Sequence, residues 1–186
     1  MTKSMLLMVA VMLAACLLGC SCGHEHLAWE TDNMRGMFYT YDLERAQSEM
    51  PFKIILPTYL PDNMREYPYL EGTLKHGVSA DEPEVRVIIQ EVEAWKGGGI
   101  EIYERNYTML PPSTEDNPEL FYIDIEGIQV LVHKLGLSQG SPENTSTTQG
   151  WRFWWRQGSI YFEASVYQYD WGTATKMIES MIQQMQ

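Results

Sequence analysis

Between Trp151 and Trp171 the chain places nine of its 22 aromatic residues, and it alternates large apolar with polar or mixed side chains around the pair Gln157-Gly158. A period of two is what a strand needs when its two faces meet different surroundings, and a glycine at the reversal turns the stretch into a hairpin. Closure on Gln157-Gly158 sets Trp151, Phe153 and Trp155 opposite Ala164, Phe162 and Ile160, a face that belongs in a core. The other face pairs Arg152 with Glu163, Trp154 with Tyr161 and Arg156 with Ser159. The core face needs a cover. Trp171, Ala174, Ile178, Met181, Ile182 and Met185 supply one, an apolar helical stripe set against Lys176, Glu179, Gln183 and Gln184, with methionine as adaptable core filler.

The rest of the chain reads as more hairpins. Glu126-Gly127 fits a two-residue primed turn and predicts Ile125 opposite Ile128, Ile123 opposite Val130 and Phe121 opposite Val132 on a core face. Asp124 then faces Gln129, and Tyr122 faces Leu131, on a mixed, partly covered face. Val85, Val87 and Ile89 alternate with Arg86, Ile88 and Gln90, and Lys96-Gly97-Gly98-Gly99 returns the chain into Ile100 and Ile102. The glycine triplet is a turn and not a phosphate loop, since no Lys-Ser/Thr pair and no helix signal follow it. Asp42 caps a short helix that ends before Pro51 and aligns Leu43, Ala46 and Met50. Phe52 to Leu56 reads as a brief strand, and Tyr67 to Leu74 as an edge strand because Pro68 cannot donate to a central ladder. The stretches 111–118 and 138–149 are turn-rich loops.

These elements predict an α+β fold: a single antiparallel sheet of about six to eight strands built from hairpins, packed by a C-terminal amphipathic helix and a short N-terminal helix. Length agrees. Of 186 residues, 1–19 read as a signal peptide, 20–33 as a lipidated cysteine with a flexible tether, and 34–186 as one domain. With a net charge of −12 and a pI near 4.7, the chain has no basic surface for a phosphate backbone, so nucleic acid is not an expected partner.

The N-terminal segment indicates destination. Lys3 precedes a 14-residue apolar run, Met5 to Leu18, too short for a span of about 20 residues but suited to a secretory signal. It ends in Leu17-Leu18-Gly19-Cys20, which looks like a bacterial lipobox, so Cys20 is the expected acylated N-terminus. Leu13-Ala14-Ala15-Cys16 is the alternative, and would leave Leu17 and Leu18 as an apolar mature end. Two or three acyl chains then anchor the protein in the membrane, on the outer face of the cell membrane or in an outer membrane. Cleavage before Cys20 leaves Cys22 as the remaining thiol, without an intramolecular disulfide partner. Cys22, His24 and His26 are weak candidates for a metal site, since alternate positions of an extended chain point the same way. Their place just beyond the anchor reads better as mobile tether, and no cofactor is expected.

No Gly-x-Ser-x-Gly elbow, His-Glu-x-x-His helix, Walker loop, strand-linked Gly-x-Gly-x-x-Gly or Cys-x-x-Cys pair occurs, and no catalytic residue is assigned. Glu115, Asp116 and Glu119, or Asp81, Glu82 and Glu84, lack the spacing of a calcium loop and read as solvated acid. The triplets at Asn106 and Asn144 read as chance matches to a glycosylation signal in a bacterial setting. The candidate ligand face is Arg152, Trp154, Arg156 and Tyr161, where cationic forks stand beside flat rings and could hold a glycan, lipid headgroup or small anion. The competing reading is a solvated sheet face in which Arg152 pairs with Glu163 and Arg156 lies on an indole.

The helix from Asp42 to Met50, leading into Pro51-Phe52-Lys53-Ile54-Ile55-Leu56-Pro57-Thr58-Tyr59-Leu60-Pro61, resembles the opening of an uncharacterised domain family found in bacterial lipoproteins and on the outer side of anti-sigma regulators. The close is similar too: a Gly-started strand through Trp154 and Trp155, a return strand holding Tyr161, and a helix ending near Ser180-Met181-Ile182. The resemblance covers Asp42 to Gln186 and implies an antiparallel sheet with packed helices and no catalytic residues. The family's anti-sigma region and transmembrane helix have no counterpart in this sequence. The expected function is therefore a lipid-anchored, extracytoplasmic, non-catalytic binding or protein-interaction module of the bacterial envelope, with an envelope protein as partner. A carrier or sensor for a glycan, lipid or anion on the aromatic and arginine face is the alternative, and an unrecognised hydrolase built from scattered carboxylates the minor one.

Overall fold

The computed structural model describes residues 37–64, 68–73, 83–92, 97–106, 111–115, 117–136 and 150–186. The apolar run, Cys16, Cys20, Cys22, His24, His26, His76 and Asn144 lie outside them. Among the described residues no helix is long and apolar enough to cross a membrane. Eight strands form one antiparallel sheet: β1 (Met37–Thr40), β2 (Tyr69–Thr73), β3 (Glu84–Gln90), β4 (Gly99–Arg105), β5 (Leu120–Ile125), β6 (Ile128–Leu135), β7 (Gly150–Gln157) and β8 (Ile160–Tyr167). Among the described residues two helices accompany them, α1 (Leu43–Glu49) and α2 (Trp171–Ile182), the latter extended by a 3-10 turn over Gln183–Met185. The α+β architecture is the expected one.

The strand order is β1-β2-β3-β4-β8-β7-β6-β5. Two four-stranded meanders are thus joined at a seam where β4 pairs with β8, from Gly99 opposite Tyr167 to Arg105 opposite Tyr161. After β4 the chain goes to the far edge and works inward. Six of the seven neighbouring pairs are therefore strands consecutive in the chain, and the seam is the exception.

Alternation sorts the side chains onto two faces. The back face carries Phe38, Leu70, Val85, Val87, Ile89, Ile100, Ile102, Phe162, Ala164, Val166, Phe153 and Trp155, all buried. Against them α2 lays Ala174, Met177, Ile178, Met181 and Ile182. Each large side chain so buried is worth roughly 2 kcal/mol. Trp155 lies flat on Phe162 with ring centroids 4.7 Å apart, and Trp171 meets the edge of Trp151 at 4.6 Å. Both helix starts are capped, the first as read: the Asp42 carboxylate accepts from the Arg45 N–H at 3.1 Å, and that of Asp170, not read from the sequence, from the Thr173 N–H at 3.0 Å. The bonds to Thr173 also hold the Asp170 carboxyl below its usual range. Opposite Phe38 stands Gly72, and a Cβ there would collide with the Phe38 ring.

Four expectations are corrected. Phe52 to Leu56 forms no strand. The chain there is an extended strap, whose backbone groups are taken by side chains: Gln47 accepts from the Ile54 N–H and donates to the Phe52 carbonyl, while Glu104 accepts from the Ile55 N–H. The strap is moored to α2, with Gln184 donating to the Leu56 carbonyl and the Tyr59 N–H donating to Ser180 Oγ. The stretch from Tyr67 to Leu74 is no edge: Pro68 falls just before β2, and β1, unread in the sequence, pairs outside it. The hairpin of β7 and β8 turns on Gly158-Ser159 and not on Gln157-Gly158, so Trp155 faces Phe162, Phe153 faces Ala164, Trp154 faces Glu163 and Arg156 faces Tyr161. The faces survive, because a one-residue error at the turn changes each pairing by two. Finally, Phe121 is 41% exposed: at the outer strand the core thins, and the ring leans on Trp171.

Candidate functional site

The face opposite α2 is built from the alternate residues of the same strands, and among the described residues its polar side chains answer one another. One row crosses the whole sheet: Tyr39, Glu71, Arg86, Tyr103, Glu163, Trp154, Leu131 and Tyr122. Arg86 donates to Glu101 at 2.6 Å and to Glu71 at 3.2 Å. Arg105 bridges Glu84 and Glu163, the latter at 2.9 Å. Between them Tyr103 lies under both guanidinium groups, at 4.6 Å from Arg105 and 5.7 Å from Arg86, with its hydroxyl donating to Glu101. Burial first and then the Glu101 bond push the Tyr103 hydroxyl up to about 12. Arg105 is 10% exposed at its side chain and Arg86 35%, so the inner pair is held in a less polar setting than the outer one.

The four residues read as a ligand face stand on this surface but do not form one accessible patch. Trp154 and Tyr161 are 8% and 6% exposed and pack with Leu120 and Leu131 as a small second core. Burial pushes the Tyr161 hydroxyl up to about 12, helped by the nearby Glu163. Arg152 donates to Ser165 at 3.0 Å, stands 3.8 Å from Glu163 and lies over Trp154 at 5.9 Å. Arg156 donates instead to the Gly158 carbonyl. Thus Arg152, and not Arg156, supplies the cation over the indole. Leu131, expected on a mixed face, is buried beneath this cluster. Of the acidic runs, Glu84 is engaged by Arg105, Glu119 stands 3.3 Å from His133, and Glu115 is exposed.

At the other end of the face lies a feature the sequence did not disclose. Tyr39 stacks on Tyr69 at 6.3 Å, and Tyr41 meets Tyr69 at 5.3 Å, with Tyr41 41% exposed. Burial, then Glu71, raises the Tyr69 hydroxyl. Tyr69 pairs across the strands with Ile88, which lines a hollow of about 150 Å³ together with Arg86, Gln90, Gly97, Gly98, Gly99, Glu101 and Tyr167. Three glycines line the hollow; Gly97 has φ +73, and beside the hollow a Cβ on Gly98 would run into the Glu91 carboxylate. That carboxylate is a clamp beside the hollow, accepting from Asn63 at 2.8 Å and from the Tyr169 hydroxyl at 2.9 Å.

In the core, Glu104 is completely buried, and both its oxygens meet the Ile55 N–H, at 3.0 and 3.1 Å. Burial drives its carboxyl well above the usual range, only partly opposed by that bond. Trp155 Nε1 and Gln157 Oε1 are buried without a hydrogen-bond partner among the described residues.

Glu104 was not read from the sequence because its neighbours Ile100 and Ile102 mark an apolar face, on which the position two residues further should also be apolar. The same parity is the signal that could have found it. Comparison with protein-family models, with curated proteins and with solved structures finds no match to this chain.

Proposed function

We propose that this chain is a lipid-anchored, extracytoplasmic binding module of the bacterial envelope that meets its partner through the open face of its sheet. One observation carries the reading: the back face is consumed by α2, α1 and the strap, whereas the opposite face presents a cross-strand array of rings and charges already fixed by partners of their own. Groups held this way lose little freedom on binding. Their mutual pairing suits recognition more than proton transfer, which needs a group left poised for its substrate. The lipobox at Cys20 and the resemblance to a domain of bacterial lipoproteins support the envelope setting.

The test is native mass spectrometry of the full chain extracted in detergent from its own host, comparing native with denatured mass. A mass accounted for by the acylated chain supports a module that engages its partner reversibly. A stable excess mass would replace that reading with a resident-ligand carrier. For the anchor, Cys20→Ala should move the protein from the membrane to the soluble fraction, and release by Cys16→Ala alone would move the anchor to Cys16.

A further inference from the structure

We propose that the β1 to β4 end of the open face is a saccharide-binding site, where sugar rings stack on Tyr41 and Tyr69 and a neighbouring ring enters the glycine hollow to meet Glu101, Gln90 and Arg86. The inference rests on the binding-module reading and names the ligand class and the place.

Three observations lead there. The first is the ring surface: Tyr39 and Tyr41 both pack on Tyr69, so the three form a stiff platform that is partly open to solvent. The apolar faces of sugar rings suit such a surface, and tyrosine adds a hydroxyl at the rim. The second is size. A hollow of about 150 Å³ holds about five waters, room for one small ring. It lies below the roughly 300–1,000 Å³ of sites that engulf a whole drug-sized ligand, so a chain lying along the surface fits better than a lipid tail. From β1 to β8, four inter-strand steps of about 4.8 Å give a path of about 19 Å, long enough for several linked rings.

The third is charge. Arg86 is answered by Glu71 and Glu101, so the hollow offers no surplus of positive charge to an anionic headgroup or phosphate. Its lining residues instead mix acceptors and donors: Glu101, Gln90, Arg86 and Tyr167. Hydroxyl-rich ligands, which donate and accept at each position, match that mixture. Free oligosaccharides and glycan strands of the envelope share this chemistry.

The experiment is calorimetric titration of the full chain in detergent micelles. The probes are β-1,4-linked tetrasaccharides of glucose and of N-acetylglucosamine and, in a separate arm, glycan strands purified from the host envelope. Saturable binding to one of them is expected. Tyr41→Ala and Glu101→Gln should each weaken it about tenfold, as truncation of a central contact does, while Lys176→Ala on α2 leaves it unchanged. Circular dichroism and thermal midpoints of the two variants report their folding, and Tyr41→Phe should retain most of the affinity. Binding to envelope strands without either tetrasaccharide supports the site with a polymer as its source.

Absence of binding across all probes, or binding that both variants leave intact, overturns the saccharide assignment. If a photo-crosslinker at position 41 then captures an envelope protein, the assignment is still overturned, but the binding-module reading stands. Failure of both saccharide and protein to engage the face removes both.

Discussion

The two faces of the sheet are made by the same strands, residue by residue in alternation, yet different forces hold them. On the back, Phe162, Phe153, Ile102 and the stripe of α2 exclude water and are locked by packing. On the open side Arg86, Arg105 and Arg152 are placed by carboxylates on neighbouring strands, with water close at hand. The back face therefore sets stability, because apolar burial accumulates with area, while exposed ion pairs contribute from zero to about 1 kcal/mol each. A surface that contributes little to folding can change its side chains without unfolding the domain. That is why the open face is the place to seek recognition.

Substitutions can break or sharpen this contrast. The largest expected effect is on the back: Phe162→Ala, which removes a fully buried ring stacked on Trp155, should lower the unfolding free energy by about 4 kcal/mol in urea titrations. A loss below about 1 kcal/mol would mean the back face is not the stabilising one. Next comes Arg105→Ala on the open face. Its side chain is 10% exposed, and the change leaves Glu84 and Glu163 without their shared cation, so a loss of about 2 kcal/mol is expected after allowing for the solvent those carboxylates still reach.

The third prediction concerns Glu104, the polar group placed on the wrong face. Its folded carboxyl holds the proton more tightly than the unfolded one. At low pH both states are protonated and stability is whole. As pH rises past the ordinary carboxyl range the unfolded chain releases its proton first, so stability falls, by at most about 1.4 kcal/mol per pH unit for one proton, until the raised folded value is passed. Glu104→Gln should remove that slope in urea midpoints measured from pH 4 to 8; an unchanged slope would assign the pH dependence to other groups. The smallest effect is expected for Arg86→Ala, whose partly exposed pairs should cost no more than about 1 kcal/mol. A larger loss would show that the outer ladder, too, supports the fold.

Some of this was legible in the sequence. The hairpin of β5 and β6 could be written pair by pair because Glu126-Gly127 has the two positive φ angles, 51° and 81°, of a primed turn. In the next hairpin Gly158 alone has positive φ, and a lone glycine leaves the turn free to lie one residue either way. The faces were readable and the partners were not. The four residues of β1 carry too little periodicity to announce a strand, and the apolar strap from Phe52 looks like one until Gln47 and Glu104 are seen to take its backbone bonds. The candidate site was harder. Arg86 was visible as the polar half of an alternation, but the bridge from Arg105 to Glu163 depends on β4 lying beside β8, a contact between residues 58 apart.

That seam has a consequence in time. Each meander can assemble from near neighbours in the chain, which is fast, whereas joining β4 to β8 requires closing a long loop and comes at a higher entropic cost. Until it closes, each half ends in a strand rich in apolar side chains, Ile100 and Ile102 on one, Phe162, Ala164 and Val166 on the other, with its backbone groups open to any passing strand. The interval before the two halves meet is when this molecule is most exposed to pairing with the wrong partner, and Arg105, which reaches Glu84 in one half and Glu163 in the other, is the clasp that fastens them.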